Sequence, residues 1–121
     1  MNIEDFRAYC LKKPFVTESF PFDNSTLVFK VGGKMFALCD IDTFSSVNLK
    51  SHPERAEELR AQYLGIKPGY HMNKKHWNSV MLHADIETPL LLELVDDSYK
   101  IVFEGLPKKE RSKLLVNGPT S

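Results

Sequence analysis

Apolar and polar positions change period several times along the chain, and each change marks an element. Ile3, Phe6 and Cys10 recur at helical spacing with Tyr9 beside them. Asn2 stands in front as a cap, Glu4 and Asp5 lie near the positive helix end, and Pro14 stops the helix at or near Lys13. Phe15 to Ser25, with Pro21, Asp23 and Asn24, reads as a loop, and its Phe15, Phe20 and Phe22 predict that it lies on the core. Thr26–Val31 and Lys34–Cys39 then alternate with period two around Gly32-Gly33. Paired glycines suit a type I′ turn, which needs positive φ at both central positions, so a hairpin is predicted. With Val31 opposite Lys34, the residues Leu27, Phe29, Val31, Lys34, Phe36 and Leu38 share the face expected to bury against helices. Val28, Lys30, Met35, Ala37 and Cys39 share a second face of mixed polarity.

Asp40 to Thr43 reads as a turn and Ser46–Lys50 as a short strand with Val47 and Leu49 inward. Ser51-His52-Pro53-Glu54 predicts a helix start, with Ser51 as cap, Glu54 closing a capping box and Pro53 in the first turn. Ala56, Leu59 and Tyr63 carry that helix's stripe, and Gly65 and Pro68 end it. Gly69 to Asn78 is polar and basic, and Ser79–Leu82 reads as a strand. Thr88 as cap and Pro89 at the first position open a long helix to about Phe103, striped by Leu91, Leu94, Val95, Tyr99 and Val102 and stopped by Gly105. Lys108 to Leu115 is a short basic helix, and residues 116–121 are expected to fray. The elements run α-β-β-β-α-β-α-α. That order predicts an α+β fold, a single compact domain over residues 1–115 with an antiparallel sheet and helices packed on one face.

Composition narrows the class without naming a function. The 121 residues, 42% hydrophobic and 26% charged, suit one ordinary globular domain. No apolar run approaches the roughly 18–20 residues of a membrane span, so no membrane partner is expected. The acids of the first ten residues do not suit a signal peptide, which makes the cytoplasm the expected compartment. Cys10 and Cys39 are too few for a disulfide scaffold and read as buried thiols. Sixteen Lys+Arg against sixteen Asp+Glu give zero net charge, which argues against a uniformly basic nucleic-acid binder. The balance is uneven, however. No Asp or Glu occurs from Leu59 to Ala84, a stretch holding Arg60, Lys67, Lys74, Lys75, His71, His76 and His83. Surface potential rather than total charge steers an anionic partner, so a local patch remains open.

Five constellations carry candidate chemistry. In Tyr70-His71-Met72-Asn73-Lys74-Lys75-His76-Trp77-Asn78, the lysines can neutralise phosphates. The Asn and His side chains can donate to phosphates or base edges, and Tyr70 and Trp77 offer stacking surfaces. The same run also reads as a loop that structures itself, with Trp77 on the core. Lys30 and Lys34 flank the hairpin tip, where a basic β-ribbon can follow a DNA groove or simply block edge pairing. Asn48 and Lys50 lie on the polar side of the next strand, so Lys30, Lys50 and Lys74/Lys75 join into one patch if that strand neighbours the hairpin. His71, His76, His52 and Cys39 lack the paired spacing of a zinc site, so no metal or other cofactor is expected. No nucleophile elbow, P-loop or dinucleotide fingerprint is present, so no catalytic residue is assigned; an acid/base role for His71 or His76 is a further alternative. Lys108-Lys109-Glu110-Arg111-Ser112-Lys113 reads as a solvated helix face.

From about residue 3 to 115 the chain resembles the MmcQ/YjbR family of small bacterial proteins. The carrying residues are Phe6-Arg7-Ala8-Tyr9-Cys10, Phe20-Pro21-Phe22, the hairpin from Leu27 to Leu38 and Val47-Asn48-Leu49-Lys50. They continue with Pro68-Gly69-Tyr70-His71-Met72-Asn73-Lys74-Lys75-His76-Trp77-Asn78, Asp97-Ser98-Tyr99 and Leu106-Pro107-Lys108-Lys109. The resemblance implies a compact α+β domain, grouped with CyaY-like folds and similar to a double-wing DNA-binding domain. It therefore implies DNA as the partner on fold likeness alone. The resulting expectation is a non-catalytic nucleic-acid-binding protein using a local basic and aromatic surface. The alternative is a protein- or small-ligand-interaction domain using the same loop.

Overall fold

The computed structural model describes residues 1–69 and 72–117. In chain order the elements are α1 (Ile3–Leu11), β1 (Val16–Ser19), β2 (Thr26–Val31), β3 (Lys34–Asp40), β4 (Ser46–Lys50), α2 (Pro53–Gln62), β5 (Ile66–Pro68), β6 (Trp77–Met81), α3 (Thr88–Glu104) and α4 (Lys108–Asn117). The strands form one antiparallel sheet in the order β1-β2-β3-β4-β6-β5. It is an α+β domain. One face of the sheet is covered: Phe6 and Cys10 of α1, Leu59 of α2 and Leu91, Leu94, Val95 and Val102 of α3 close over Leu27, Phe29, Val31, Phe36, Val47, Leu49 and Val80. Each of these three helices supplies its apolar stripe, and burial of those side chains is the main driving force.

The local signals hold at several points. Asn2 Oδ1 accepts from the Asp5 N–H at 2.8 Å, a cap for α1. Gly32 and Gly33 have φ of 58° and 78°, as the hairpin requires. Gly32 is also tightly packed, since a Cβ there would stand 2.5 Å from Leu106 Cδ1. Gly65 is needed for closeness as well: a Cβ would lie 2.7 Å from that of Ala84.

Four expectations change. Val16–Ser19, read as loop, pairs with β2 as an edge strand, and Ile66–Pro68 pairs with β6 at the other edge. Strands this short form only against a partner, so local pattern is a weak guide to them. Strand β6 opens at Trp77 rather than Ser79. The hairpin register slips: Val31 faces Lys34 and Lys30 faces Met35, but Phe29 faces Ala37, leaving Phe36 as the extra residue of a β-bulge. Phe36, Ala37 and Cys39 therefore all turn to the helix side, and Leu38 turns away to pack with Val28 and Trp77. Ser98 of α3 supports the bulge. Its Oγ donates to the Phe36 C=O at 2.5 Å and accepts the Lys50 N–H at 2.8 Å, joining two ladder groups the bulge leaves unmatched. Lastly, Ser51 does not cap α2. His52 takes the cap position without a side-chain bond to the first turn, and the Ser51 N–H is drawn to the His76 C=O at 2.7 Å. Thr88 likewise lies inside α3, whose cap position is Glu87.

Candidate functional site

Alternation along five paired strands decides what the uncovered face presents. Past the bulge, Lys30 and Met35 form one cross-strand pair on that face, and Lys50 and Trp77 form another. One step along lie Val28, Leu38, Asn48, Ser79 and Lys67, and beyond them Thr26, Asp40, Ser46 and Met81. Trp77, Val28 and Leu38 are a small second core, with Met35 and Met72 packed against it. Above this floor is a groove of about 810 Å³, lined by Met35, Leu38, Asn48, Met72, Asn73, Trp77 and Ser79, with Phe22, Asp23, Thr26, Asp40 and Ser46 at its far end.

The open face carries both signs. Lys30 and Lys50, both half-buried, lie toward the hairpin turn outside the groove's lining, and Asp23 and Asp40 line the groove's far end. Asp23 accepts the N–H groups of Ser25 at 2.9 Å and Thr26 at 2.6 Å, and these bonds hold its carboxyl below the usual range. Asp40 accepts from the Asp42 and Thr43 N–H groups. Asn48, in the groove's lining, accepts at its Oδ1 from Ser79 Oγ at 2.5 Å, which leaves its amide NH₂ as the donor end.

Residues 72–76 lead into β6, and Asn73 organises them: its backbone C=O takes the N–H groups of His76 and Trp77, and its side-chain oxygen takes the Lys75 N–H at 2.9 Å. Met72 then rests on the open face, and the Lys74 C=O accepts from Arg60 Nη1 of α2 at 3.3 Å. Gly69 fits close against Trp77, whose Cβ would be 3.0 Å from an added Cβ.

The candidate residues thus separate. Lys30, Asn48 and Lys50 come together on the open face. Asn73, Lys74 and Lys75 are exposed on the adjoining loop, and His76 is half-buried beside them. Trp77 is 7% exposed, so it serves as floor rather than as a stacking surface. Asn78 turns the other way: it is 2% exposed, accepts from Arg60 Nη1 at 2.7 Å and donates to the Ala56 C=O at 3.3 Å, which ties α2 to the sheet. Lys34 is exposed at the hairpin tip on the Val31 side, away from Lys30. Tyr70 and His71 lie outside the described residues. Two residues join the face unforeseen. Lys67 projects from β5, and its place in the acid-free stretch was the available signal; Phe22 is 64% exposed at the groove's rim, within the aromatic loop.

Cys10 and Cys39 are buried free thiols; burial pushes Cys39 up to about 12 and Cys10 higher still, so neither forms thiolate near neutrality. Among the described residues no three His, Cys, Asp or Glu side chains converge as metal ligands, and no helix is long and apolar enough to cross a membrane.

Comparison with known proteins adds a family. The family model YjbR matches residues 11–101. The chain is 40% identical over 112 residues to uncharacterized protein YbdF of Escherichia coli O157:H7, covering 92% of each. It is 36% identical over 117 residues to uncharacterized protein YjbR of Escherichia coli K12, covering 96% of this chain and 98% of the relative. Among solved structures, Deinococcus radiodurans protein DR2400, described as family-model domain DUF419, superposes with a TM-score of 0.87 at 45% identity, over 93% of this chain and 87% of the other. A Pseudomonas syringae protein, structural-genomics target PsR293, superposes with a TM-score of 0.71 at 30% identity, over 84% and 99%.

Proposed function

This chain belongs to the YjbR family, and from its uncovered sheet face we propose that it is a non-catalytic nucleic-acid-binding module. The observation that carries the reading is the common face of Lys30, Lys50 and Lys67, beside a loop bearing Lys74 and Lys75. Phosphates meet these lysines, the Asn48 amide donates to a phosphate or base edge, and Phe22 at the rim stacks on a base. With about three phosphates neutralised on the sheet, log K falls against log salt with a slope of about −2 to −3. Zero net charge leaves no wider attraction to add to it.

The test is fluorescence anisotropy with labelled single-stranded and duplex oligonucleotides at low salt, on the whole chain and on the Lys30→Glu/Lys50→Glu double variant. Binding that weakens steeply with salt and is lost in the double variant supports the reading. Undetectable binding at low salt, or unchanged affinity in the variant, ends it.

One observation favours a second reading. The groove itself is lined by Met35, Leu38, Met72 and Trp77 with Asp23 and Asp40 at one end, a lining suited to a small ligand or a peptide of a protein partner. Co-purification of such a molecule, displaced by Met35→Asp but not by the lysine changes, distinguishes it.

A further inference from the structure

Asp97, Ser98 and Tyr99 follow one another on α3, and two of them have structural tasks. Ser98 supports the bulge, and the Tyr99 hydroxyl donates to the Pro14 C=O at 2.7 Å. Asp97 makes no hydrogen bond or ion pair among the described residues. It lines a cleft of about 270 Å³ between the start of α2 and α3, on the helix side of the sheet and away from the groove described above.

Ser51 lines the cleft from below. Alternation from Val47 and Leu49 turns its side chain toward the helices, and the residue is only 5% exposed. Its hydroxyl has no hydrogen-bond partner among the described residues. Facing the cleft, that hydroxyl is open to a ligand's acceptor group. The first turn of α2 opens beside it. No side chain caps that turn, so the N–H groups of Glu54 and Arg55 keep their donor capacity at the positive end of the helix. Arg55 also lines the cleft, and its ion pair with Glu58 is a loose 3.9 Å; Lys100 and Glu104 pair at the same distance on the far wall.

The charges select the ligand. A simple anion would find Ser51, the α2 amides and Arg55, but would stand against Asp97. A simple amine would pair with Asp97 but face Arg55 and the positive helix end. Only a molecule with both groups is complemented at both walls. We propose that this cleft is a second binding site, for a small zwitterion of the α-amino-acid type. Its acidic group sits on the Ser51 hydroxyl and the first-turn amides of α2, and its ammonium sits on Asp97. The volume lies just below the roughly 300–1,000 Å³ of sites for drug-sized ligands, which suits a ligand of few heavy atoms.

The experiment is a titration followed by ¹H–¹⁵N correlation spectra. The probes are the twenty common α-amino acids, with acetate and methylamine as single-ended controls at the same millimolar concentrations. At least one amino acid should shift the Glu54 and Arg55 amides saturably, with acetate and methylamine about tenfold weaker or more. Ser51→Ala and Asp97→Asn should each weaken that binding by about tenfold or more while leaving distant resonances in place. The proposal is overturned if no amino acid moves those two amides, if acetate alone binds as tightly, or if Asp97→Asn binds as the unmodified chain does. The single-ended controls decide the matter even if a variant folds poorly.

Discussion

Replacing Ser98 with alanine tests how the sheet tolerates its bulge. Ser98 is 0% exposed and its hydroxyl closes two bonds, to the Phe36 C=O and from the Lys50 N–H. Alanine leaves both backbone groups in place with no partner, and a space one hydroxyl wide is too small for a water to enter. Each unmatched buried group costs about 1–3 kcal/mol. Alanine regains about 0.5 kcal/mol as the better helix former, which is too little to reverse the sign. The expected net loss is about 1.5–5.5 kcal/mol. For a chain of this length the unfolding entropy near the midpoint is about 0.25 kcal/mol/K, so the midpoint falls by about 6–22 °C. Urea unfolding followed by the single tryptophan, Trp77, measures the change. Hydrogen exchange at the Lys50 amide should accelerate beyond the global change. A loss no larger than that of the exposed Ser112→Ala, or a Lys50 amide that keeps its protection relative to its neighbours, would refute the reasoning.

The remaining predictions concern other joints of the structure. Gly33→Ala is strained by φ alone and should cost about 1–2 kcal/mol, whereas Gly32→Ala adds a clash with buried Leu106 and should cost about 1–3 kcal/mol more; equal urea midpoints would contradict this. Arg60→Met should destabilise by about 1–3 kcal/mol by leaving the buried Asn78 carbonyl without its donor, and a midpoint unchanged from the parent would show the contact to be idle. Asp85 accepts from the Gly65 and Leu64 N–H groups, which hold its carboxyl below the usual value. A lowered folded pKa contributes stability that is complete above the unfolded value of about 3.9 and is lost as pH falls through the folded value. Asp85→Asn should therefore flatten the acid limb of a midpoint-against-pH curve below about pH 4, and an unaltered limb would exclude the effect. Cys10 and Cys39 should resist a thiol reagent at pH 8 until the chain unfolds; rapid native labelling of either would contradict their burial.

Local sequence decides structure most fully where one residue type satisfies a local demand. Gly32-Gly33 announced the hairpin because L-residues resist positive φ, Asn2 announced a helix start because its side chain meets an otherwise unpaired N–H, and the stripe from Leu91 to Val102 announced the buried face of α3. It decides least where the deciding partner is distant. Ser51 looked like a cap, but its backbone is drawn to His76 across the sheet. Residues 15–25 looked like loop throughout, but β2 offers Val16–Ser19 an unpaired edge.

For the candidate site the division is sharper. Composition along the chain located the acid-free, lysine-bearing stretch, and period-two alternation put Lys30 and Lys50 on polar positions. Their meeting depended on β4 lying next to β3, which no local pattern states. Trp77 and Asn78, adjacent in sequence and alike as candidates, point to opposite faces. One is the floor of the open groove and the other a buried tie to α2. The sequence alone determined the helices, the central hairpin, the cap of α1 and the helix stripes, because these follow from backbone sterics and hydrophobicity over a few residues. Only the tertiary structure decided the bulge at Phe36, and with it which of Leu38 and Cys39 faces the helices. That choice depends on a hydroxyl sixty-two positions away in sequence satisfying the backbone groups the bulge leaves unmatched.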